Sequence, residues 1–299
     1  MTAPAQPLVQ GVAPARPASR RLSLAWLGLL PFLGFSVVFM LLPISFLLIG
    51  SFQDAHGNLT LQNYGDLSQN FIVDAYRNSI EISLVTAVAG GFFGFLLAYA
   101  VILGGLPRFL RTGLMTFSGV ASNFAGVPLA LAFIYTLGHG GIVTAFLLDA
   151  FGVNLYASGF SLYTKIGLEL VYMYFQFPLM VLIVAPAIDG LKPEWREASE
   201  NLGASSTHYW RTVALPILTP TLLGTTILLF GNAFGAQATA YQLSNQINLV
   251  TLVISSQMRG DVLHNVGLGY ALAVGMVVIM GISIALYTLL QRRAGRWLR

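Results

Sequence analysis

Long apolar stretches dominate this sequence and restrict its possible folds more than any other feature. A helix needs about 20 mainly apolar residues to cross the hydrocarbon core of a bilayer. Charged residues make up only 9% of the chain, against about 25% in a typical soluble domain. The sequence therefore predicts an all-α, polytopic membrane protein over residues 25–292, with six transmembrane helices. These are residues 26–50, 79–103, 112–137, 167–188, 217–241 and 268–290.

The terminal segments and one shorter apolar run fall outside the six spans. Residues 1–24 are rich in Ala, Pro and Arg without an apolar period, which predicts a disordered cytoplasmic tail. Residues 293–299 are predicted to form a short basic cytoplasmic tail. The run Ile142–Phe151 is too short to span and predicts a re-entrant or interfacial helix. The apolar run that begins at Trp26 is too long for a secretory signal, which favours a membrane span.

Basic residues are distributed unevenly between the two sides of the predicted membrane domain. With the N-terminus in the cytoplasm, all of the 15 Lys and Arg residues except Arg77, Lys165 and Arg259 lie on the cytoplasmic side. The positive-inside rule therefore predicts that both termini are cytoplasmic. It also places residues 189–216, which connect the fourth and fifth spans, in the cytoplasm. The net charge of +4 is interpreted as membrane orientation, not as nucleic-acid binding.

The connector over residues 189–216 has the polar composition of a soluble segment. Its sequence predicts two short helices around a turn, with Gly203 ending the first helix. Either Ser205 or Ser206 can cap the second helix, and Pro216 is predicted to break the path before the fifth span. One face of the first helix carries the apolar residues Trp195, Ala198 and Leu202.

Two interpretations of this connector remain open on physical grounds. It could lie on the lipid surface as an amphipathic pair, or it could dock onto a cytoplasmic protein. Helices that lie on lipid surfaces are usually rich in Lys and Arg. The first helix here carries Glu194, Glu197 and Glu200 against Arg196, which favours a protein partner.

The spacing in this connector resembles the signature loop of ABC-importer permeases. The family pattern is Glu-Ala-Ala, three residues, Gly, nine residues, Ile, any residue and Leu-Pro. The gap lengths agree throughout, and the departures at Ser199 and Val213 are conservative. The matching residues here are Glu197, Ala198, Ser199, Gly203, Val213, Leu215 and Pro216.

The resemblance implies a function and a set of partners. The connector would be a coupling helix that docks onto a cytoplasmic ABC ATPase subunit, with Glu197 facing the ATPase, Ala198 permitting close approach and Gly203 making the turn. A second permease subunit, identical or a sister chain, and an extracytoplasmic solute-binding protein would complete the importer in a bacterial inner membrane. Within the family, the chain most resembles the group of permeases that handle polyamines, ferric ions, thiamine and phosphonates. The polyamine type looks nearest in this group, so a polyamine-type solute is expected.

No catalytic or nucleotide-binding motif accompanies this pattern. A phosphate-binding P-loop needs Gly-Lys-Ser/Thr, and neither Lys165 nor Lys192 follows a glycine. The four histidines are scattered, which predicts neither a metal site nor a cofactor. ATP hydrolysis is therefore expected on a separate chain, and this chain is not expected to be an enzyme.

Polar residues of the predicted fifth span are candidates for a translocation path. Thr225, Asn232 and Thr239 recur at seven-residue intervals along one side of a helix, and Gln237 lies nearby. Polar groups at membrane depth face a cavity or another helix. A solute path and interhelical hydrogen bonding both remain open for these residues.

A secondary transporter driven by an ion gradient is the alternative function. Such a transporter is expected to carry ionisable residues in mid-span and broken helices in matching halves of the chain. The sequence has few ionisable residues in mid-span and no clear internal repeat. The spacing of the connector therefore favours the ATP-driven importer.

Overall fold

A computed structural model describes residues 28–54, 56–243, 247–259 and 265–294. Within these ranges the chain is helical and forms no extended strand, and a single bridge pairs Gln53 with Leu59. This confirms the predicted all-α fold. The predicted tail over residues 1–24 lies outside the described residues, as do Trp26 at the start of the first predicted span and the last five residues of the C-terminal tail.

We number the helices along the chain. The first six are α1 (Leu30–Gly50), α2 (Gln62–Asp66), α3 (Asn70–Leu103), α4 (Arg108–Asn123), α5 (Val127–Leu137) and α6 (Ile142–Phe151). The others are α7 (Lys165–Asp189), α8 (Pro193–Asn201), α9 (Ser206–Phe234), α10 (Gln237–Leu243), α11 (Val250–Arg259) and α12 (Val266–Ala294).

Six stretches among the described residues are long and apolar enough to cross a membrane, as predicted. They are α1, α3, α7, α9, the first 27 residues of α12, and the stretch Val127–Phe151 that joins α5 to α6. Contacts divide the chain into two units between Phe46 and Leu47. The first unit holds most of α1, which contains a π turn over Val37–Leu41. The second unit holds all the other helices.

Close packing of α3, α7 and α9 forms the centre of the second unit. Gly90 and Gly94 on α3 face α7, and a Cβ atom built on Gly94 would lie only 2.7 Å from the carbonyl oxygen of Phe177. The two glycines therefore allow the helix backbones to approach closely. Buried apolar side chains fill the remaining space, including Ile72 and Ala87 on α3, Val181 and Val184 on α7, and Leu218 and Leu229 on α9.

The predicted third span, residues 112–137, is wrong because the structure breaks it into two helices. Gly126 separates α4 from α5 with φ +76° and ψ −149°, a conformation that no helix contains and that favours glycine. The apolar stretch long enough to span is instead Val127–Phe151. The segment Ile142–Phe151, predicted to be too short to span, is part of that longer stretch. Apolar length does not reveal a backbone break.

The predicted fifth span, residues 217–241, is displaced toward the connector. α9 begins at Ser206, runs through Pro216 without a break, and ends at Phe234. A π turn over Trp210–Ala214 directly precedes the proline, and there the N–H of Leu215 donates to the carbonyl oxygen of Trp210. The wider turn accommodates a residue that has no N–H of its own, so the predicted break at Pro216 is wrong.

Candidate functional site

The connector between α7 and α9 forms a short helix followed by a glycine turn. Pro193 occupies the first turn of α8, where its missing N–H leaves no backbone bond unmade. Gly203 follows the helix with φ +78°, as the sequence predicts for the end of this helix. Two bonds close the turn: Gly203 N–H donates to the Glu200 oxygen at 2.9 Å, and Ala204 N–H donates to the Ser199 oxygen at 3.0 Å.

The second helix of the connector continues directly into the membrane span. Ser205, one of the two predicted caps, accepts a hydrogen bond from His208 N–H at 3.3 Å and begins α9. Trp210 packs edge-on against Tyr99 of α3, with ring centroids 5.0 Å apart. The start of α9 is therefore attached to α3, and the helix runs for 29 residues from the connector to Phe234.

None of the nine residues of α8 is buried against the described part of the chain. Leu202, directly after the helix, is 88% exposed, and Trp195 is 37% exposed. An open groove of about 490 Å³ lies between α8 and the first turns of α9. It is lined by Trp195, Ala198, Ser199, Leu202, Ala204, His208, Thr212, Val213 and Ile217. The connector thus presents an uncovered apolar surface.

Several charged residues lie on α8 or directly before it. Arg196 Nε donates to Glu200 Oε1 at 2.9 Å, and this hydrogen bond raises the pKa of Arg196 above its usual value. Lys192 Nζ lies 5.8 Å from the centre of the Trp195 ring. Glu197 is exposed and forms no ion pair with the residues that the structure describes. Its carboxylate is therefore available to a partner.

The seven residues of the loop pattern take different positions. Ala198, Ser199 and Val213 line the groove, whereas Glu197 lies on the exposed surface of α8 and Gly203 makes the turn. The pattern ends in α9, where Leu215 and Pro216 are half-buried outside the groove lining.

The four candidate path residues do not lie along one side of a single helix, so that part of the prediction is wrong. Thr225 is buried in α9 and donates to the Thr221 oxygen at 2.8 Å, while Asn232 is exposed near the end of the same helix. Gln237 and Thr239 lie on α10, beyond the end of α9. Whether any of the four lines a solute path stays a prediction.

Two residues of α7 have contacts that the sequence analysis missed. The Tyr172 hydroxyl donates to the Ala236 carbonyl oxygen at 2.7 Å, just beyond the end of α9. One turn further along α7, Gln176 Nε2 donates to the Leu229 carbonyl oxygen at 3.0 Å. The only sequence signal was the presence of two polar groups within an apolar span, four residues apart and hence on one helix face.

Ion pairs hold α7 near both of its ends. Lys165 Nζ lies 2.9 Å from Glu81 Oε2 on α3, and Arg111 on α4 pairs with Asp189. All four side chains are partly exposed, so each pair contributes little stability, about 0–1 kcal/mol. No cluster of three His, Asp or Glu residues that could hold a metal occurs in the described ranges.

Comparison with known proteins gives matches over most of the chain. Residues 90–296 match the family model described as the binding-protein-dependent transport system inner membrane component. The sulfate transport system permease protein CysT of Salmonella typhimurium is 27% identical over 273 residues, which cover 88% of this chain and 92% of that protein. A probable sulfate transport system permease of Chlorella vulgaris is 27% identical over 220 residues, covering 73% and 77%.

A solved structure shares the fold. The crystal structure of a bacterial ABC transporter that imports the acidic polysaccharide alginate contains a chain that superposes with a TM-score of 0.71. The match covers 90% of this chain and 95% of the other, at 16% sequence identity. At that identity the likeness concerns the fold alone.

Proposed function

The chain belongs to the family of inner-membrane components of binding-protein-dependent transport systems, and from this membership we propose that its α8 connector docks onto a cytoplasmic ATPase subunit. The family confirms the resemblance to ABC-importer permeases and does not favour the secondary transporter. The protein is a multi-pass inner-membrane permease subunit. The cytoplasmic location of its connector and of both termini is part of the proposal.

The exposure of α8 carries the docking proposal. An isolated helix shorter than about 12 residues is marginal in water, so short helices in proteins depend on packing against other elements. α8 has nine residues and buries none of them within the described chain. A partner that covers the apolar groove would supply the missing packing.

The groove and its surroundings indicate how the ATPase would bind. Leu202 projects from the end of α8 with 88% of its surface exposed, so a docked partner would remove a large apolar area from water. Glu197, on the exposed surface of the same helix, adds an unpaired carboxylate, which a basic or hydrogen-bonding group of the ATPase would satisfy. Because α9 starts in the connector, movement of the docked ATPase would be transmitted into a membrane span.

The complete importer would contain further subunits. A second permease chain, identical or a sister, would form the translocation path together with this one, and an extracytoplasmic binding protein would deliver the solute. ATP hydrolysis would take place on the ATPase subunits, and this chain would contribute no catalytic group.

The expected substrate changes from a polyamine to an inorganic oxyanion of the sulfate type. The polyamine expectation rested on a weak resemblance within the family, and the comparisons give it no support. Two relatives that match 73% and 88% of this chain are described as sulfate transport permeases. Uptake of radiolabelled sulfate and of radiolabelled spermidine by cells that carry the importer distinguishes the two substrates, since sulfate uptake alone is expected.

A double substitution tests the docking proposal. Glu197→Lys combined with Leu202→Asp reverses the free charge and removes the exposed apolar group. We expect it to abolish co-purification of the ATPase and ATP-driven uptake while membrane insertion is retained. Leu59→Asp is the matched control, because Leu59 is 84% exposed in a different segment. Normal ATPase co-purification by the double variant would refute the docking role.

A further inference from the structure

Two helix breaks interrupt the membrane domain. One separates α4 from α5 at Gly126, and the other separates α9 from α10 at Gly235 and Ala236. The buried side chain of Thr239, in the first turn of α10 after the second break, bonds to the first break. Its Oγ1 accepts a hydrogen bond from Gly126 N–H at 2.9 Å and lies 3.2 Å from the Gly126 carbonyl oxygen, to which it donates.

The hydroxyl of Thr239 satisfies a backbone group that the break itself leaves unpaired. At φ +76°, Gly126 is outside both neighbouring helices, so its N–H has no partner within a helix. A backbone N–H without a partner is unfavourable wherever water is scarce, as in a membrane domain. Thr239 is only 1% exposed, which keeps water away from these bonds. The conformation of the break therefore depends on the position of α10.

The second break, between α9 and α10, is held by a residue of α7. The Tyr172 hydroxyl of α7 donates to the Ala236 carbonyl oxygen at 2.7 Å, at the point where α9 gives way to α10. α9 itself is continuous from Ser206 in the connector to Phe234. A displacement of the connector is therefore carried along one continuous helix to the break beside α10, and Thr239 is the third residue of α10.

We propose that Thr239 is a positioning residue that transmits movement of α9 to α5 by holding the break at Gly126 in a fixed relation to α10. α5 and α10 then move as one body when the connector is displaced. The inference rests on the proposed function, in which the ATPase acts on the connector. Without the hydroxyl, α9 still moves with the ATPase, but α5 no longer follows it.

Three substitutions test the role of the hydroxyl. Thr239→Val keeps the shape of the side chain and removes both hydrogen bonds, whereas Thr239→Ser retains the hydroxyl. Thr136→Val is the matched control on α5, because the Thr136 hydroxyl donates to the Ala132 oxygen within the same helix. The importer is reconstituted in proteoliposomes with its ATPase and binding protein, and sulfate transported per ATP hydrolysed is measured.

The expected result is a loss of coupling in one variant only. Thr239→Val lowers sulfate transported per ATP by about two- to tenfold or more, since the net loss of one hydrogen bond alone corresponds to about two- to tenfold. Thr239→Ser and Thr136→Val retain the parent ratio. An unchanged ratio in Thr239→Val, or an equal fall in Thr136→Val, overturns the proposal. Absence of ATP-driven sulfate uptake in the parent complex overturns the proposed substrate instead.

A distance measurement tests the link in the full-length permease without its ATPase. The chain contains no cysteine, so a variant with Leu131→Cys on α5 and Tyr241→Cys on α10 carries spin labels at these two sites only. Both side chains are exposed, at 39% and 64%. We expect one narrow distance population in the parent and in Thr239→Ser, and a broadened distribution in Thr239→Val. Identical distributions in all three proteins refute the link whatever powers the transporter.

Discussion

The side-chain Nε2–H group of Gln176 donates a hydrogen bond of 3.0 Å to the backbone carbonyl oxygen of Leu229 and so joins α7 to α9 within the packed core. The residue is fully buried, and its Oε1 has no hydrogen-bond partner among the described residues. A buried polar atom without a partner costs about 1–3 kcal/mol. This penalty opposes the gain from the bond to Leu229, so the amide fixes the register of the two helices more than it stabilises them.

Replacement of Gln176 by methionine is therefore expected to be nearly neutral for stability. Methionine has a similar length and no branch at Cβ, so the close contact of the Gln176 Cβ with Gly90 is kept. The bond to Leu229, the longer one of 3.4 Å to the Thr86 hydroxyl and the unpaired oxygen are lost together, and the effects offset each other to within about 1 kcal/mol. Thermal unfolding of the detergent-solubilised protein measures the change.

Gln176→Glu is the variant with which the stability of Gln176→Met is compared. It preserves shape but introduces a carboxylate at membrane depth, which costs about 2.5–3.5 kcal/mol on insertion scales. A marked fall in the unfolding temperature is expected for Gln176→Glu alone. If Gln176→Met were equally destabilised, the bond to Leu229 would be a major source of stability and the interpretation above would be wrong.

Gly94 should tolerate no side chain. A Cβ atom at this position would lie 2.7 Å from the Phe177 carbonyl oxygen, and backbone cannot move aside as a flexible side chain can. Gly94→Ala is therefore expected to separate α3 from α7 and to lower the free energy of unfolding by about 1–3 kcal/mol. Gly113→Ala on α4 is the control, because nothing lies within 4 Å of its Cβ position. Equal stability of the two variants would contradict close packing at Gly94.

Features set by local sequence were predicted well. Apolar length gave the number of candidate spans, and the glycine at position 203 gave the end of α8 because only the adjacent backbone determines it. The break at Gly126 is an exception: it was missed because apolar length ignores Gly126 and Pro128, although a proline in the first turn of α5 is a local helix-start signal. Continuation of α9 through Pro216 was missed because a π turn, which has no sequence signal, accommodates the ring.

Gly203→Ala is expected to weaken the connector through backbone conformation alone. No atom lies within 4 Å of a Cβ at Gly203, so space is not limiting, but φ is +78°. A residue other than glycine in this region is disfavoured by about 1–2 kcal/mol, and asparagine by less. ATPase binding, measured by titration, should therefore weaken by at least about fivefold in Gly203→Ala and less in Gly203→Asn.

Gly65→Ala is the control for this substitution. Gly65 also has open space around its Cβ position but does not have a positive φ. ATPase affinity should be unchanged in Gly65→Ala. Equal affinities of the Gly203→Ala variant and the parent protein would mean that the turn at Gly203 does not shape the docking surface.

The turn at Asp54 should lose its structure in acid. The carboxylate accepts hydrogen bonds from the backbone N–H groups of Asn58 at 2.9 Å and His56 at 2.8 Å, and from Asn58 Nδ2 at 3.2 Å. These bonds hold the pKa of Asp54 below its usual value of 3.8, and the bond from the Asn58 N–H has the largest effect. Because the folded pKa is the lower one, the ionised group stabilises the turn fully above pH 3.8, and this contribution disappears as the pH falls through the folded pKa. Hydrogen-exchange protection factors of the His56 and Asn58 amides should decline over that interval, whereas Asp54→Ala, which has no acceptor for these amides, should show low protection with little pH dependence. Protection that stays constant down to pH 2 in the parent protein would show that ionised Asp54 does not hold the turn.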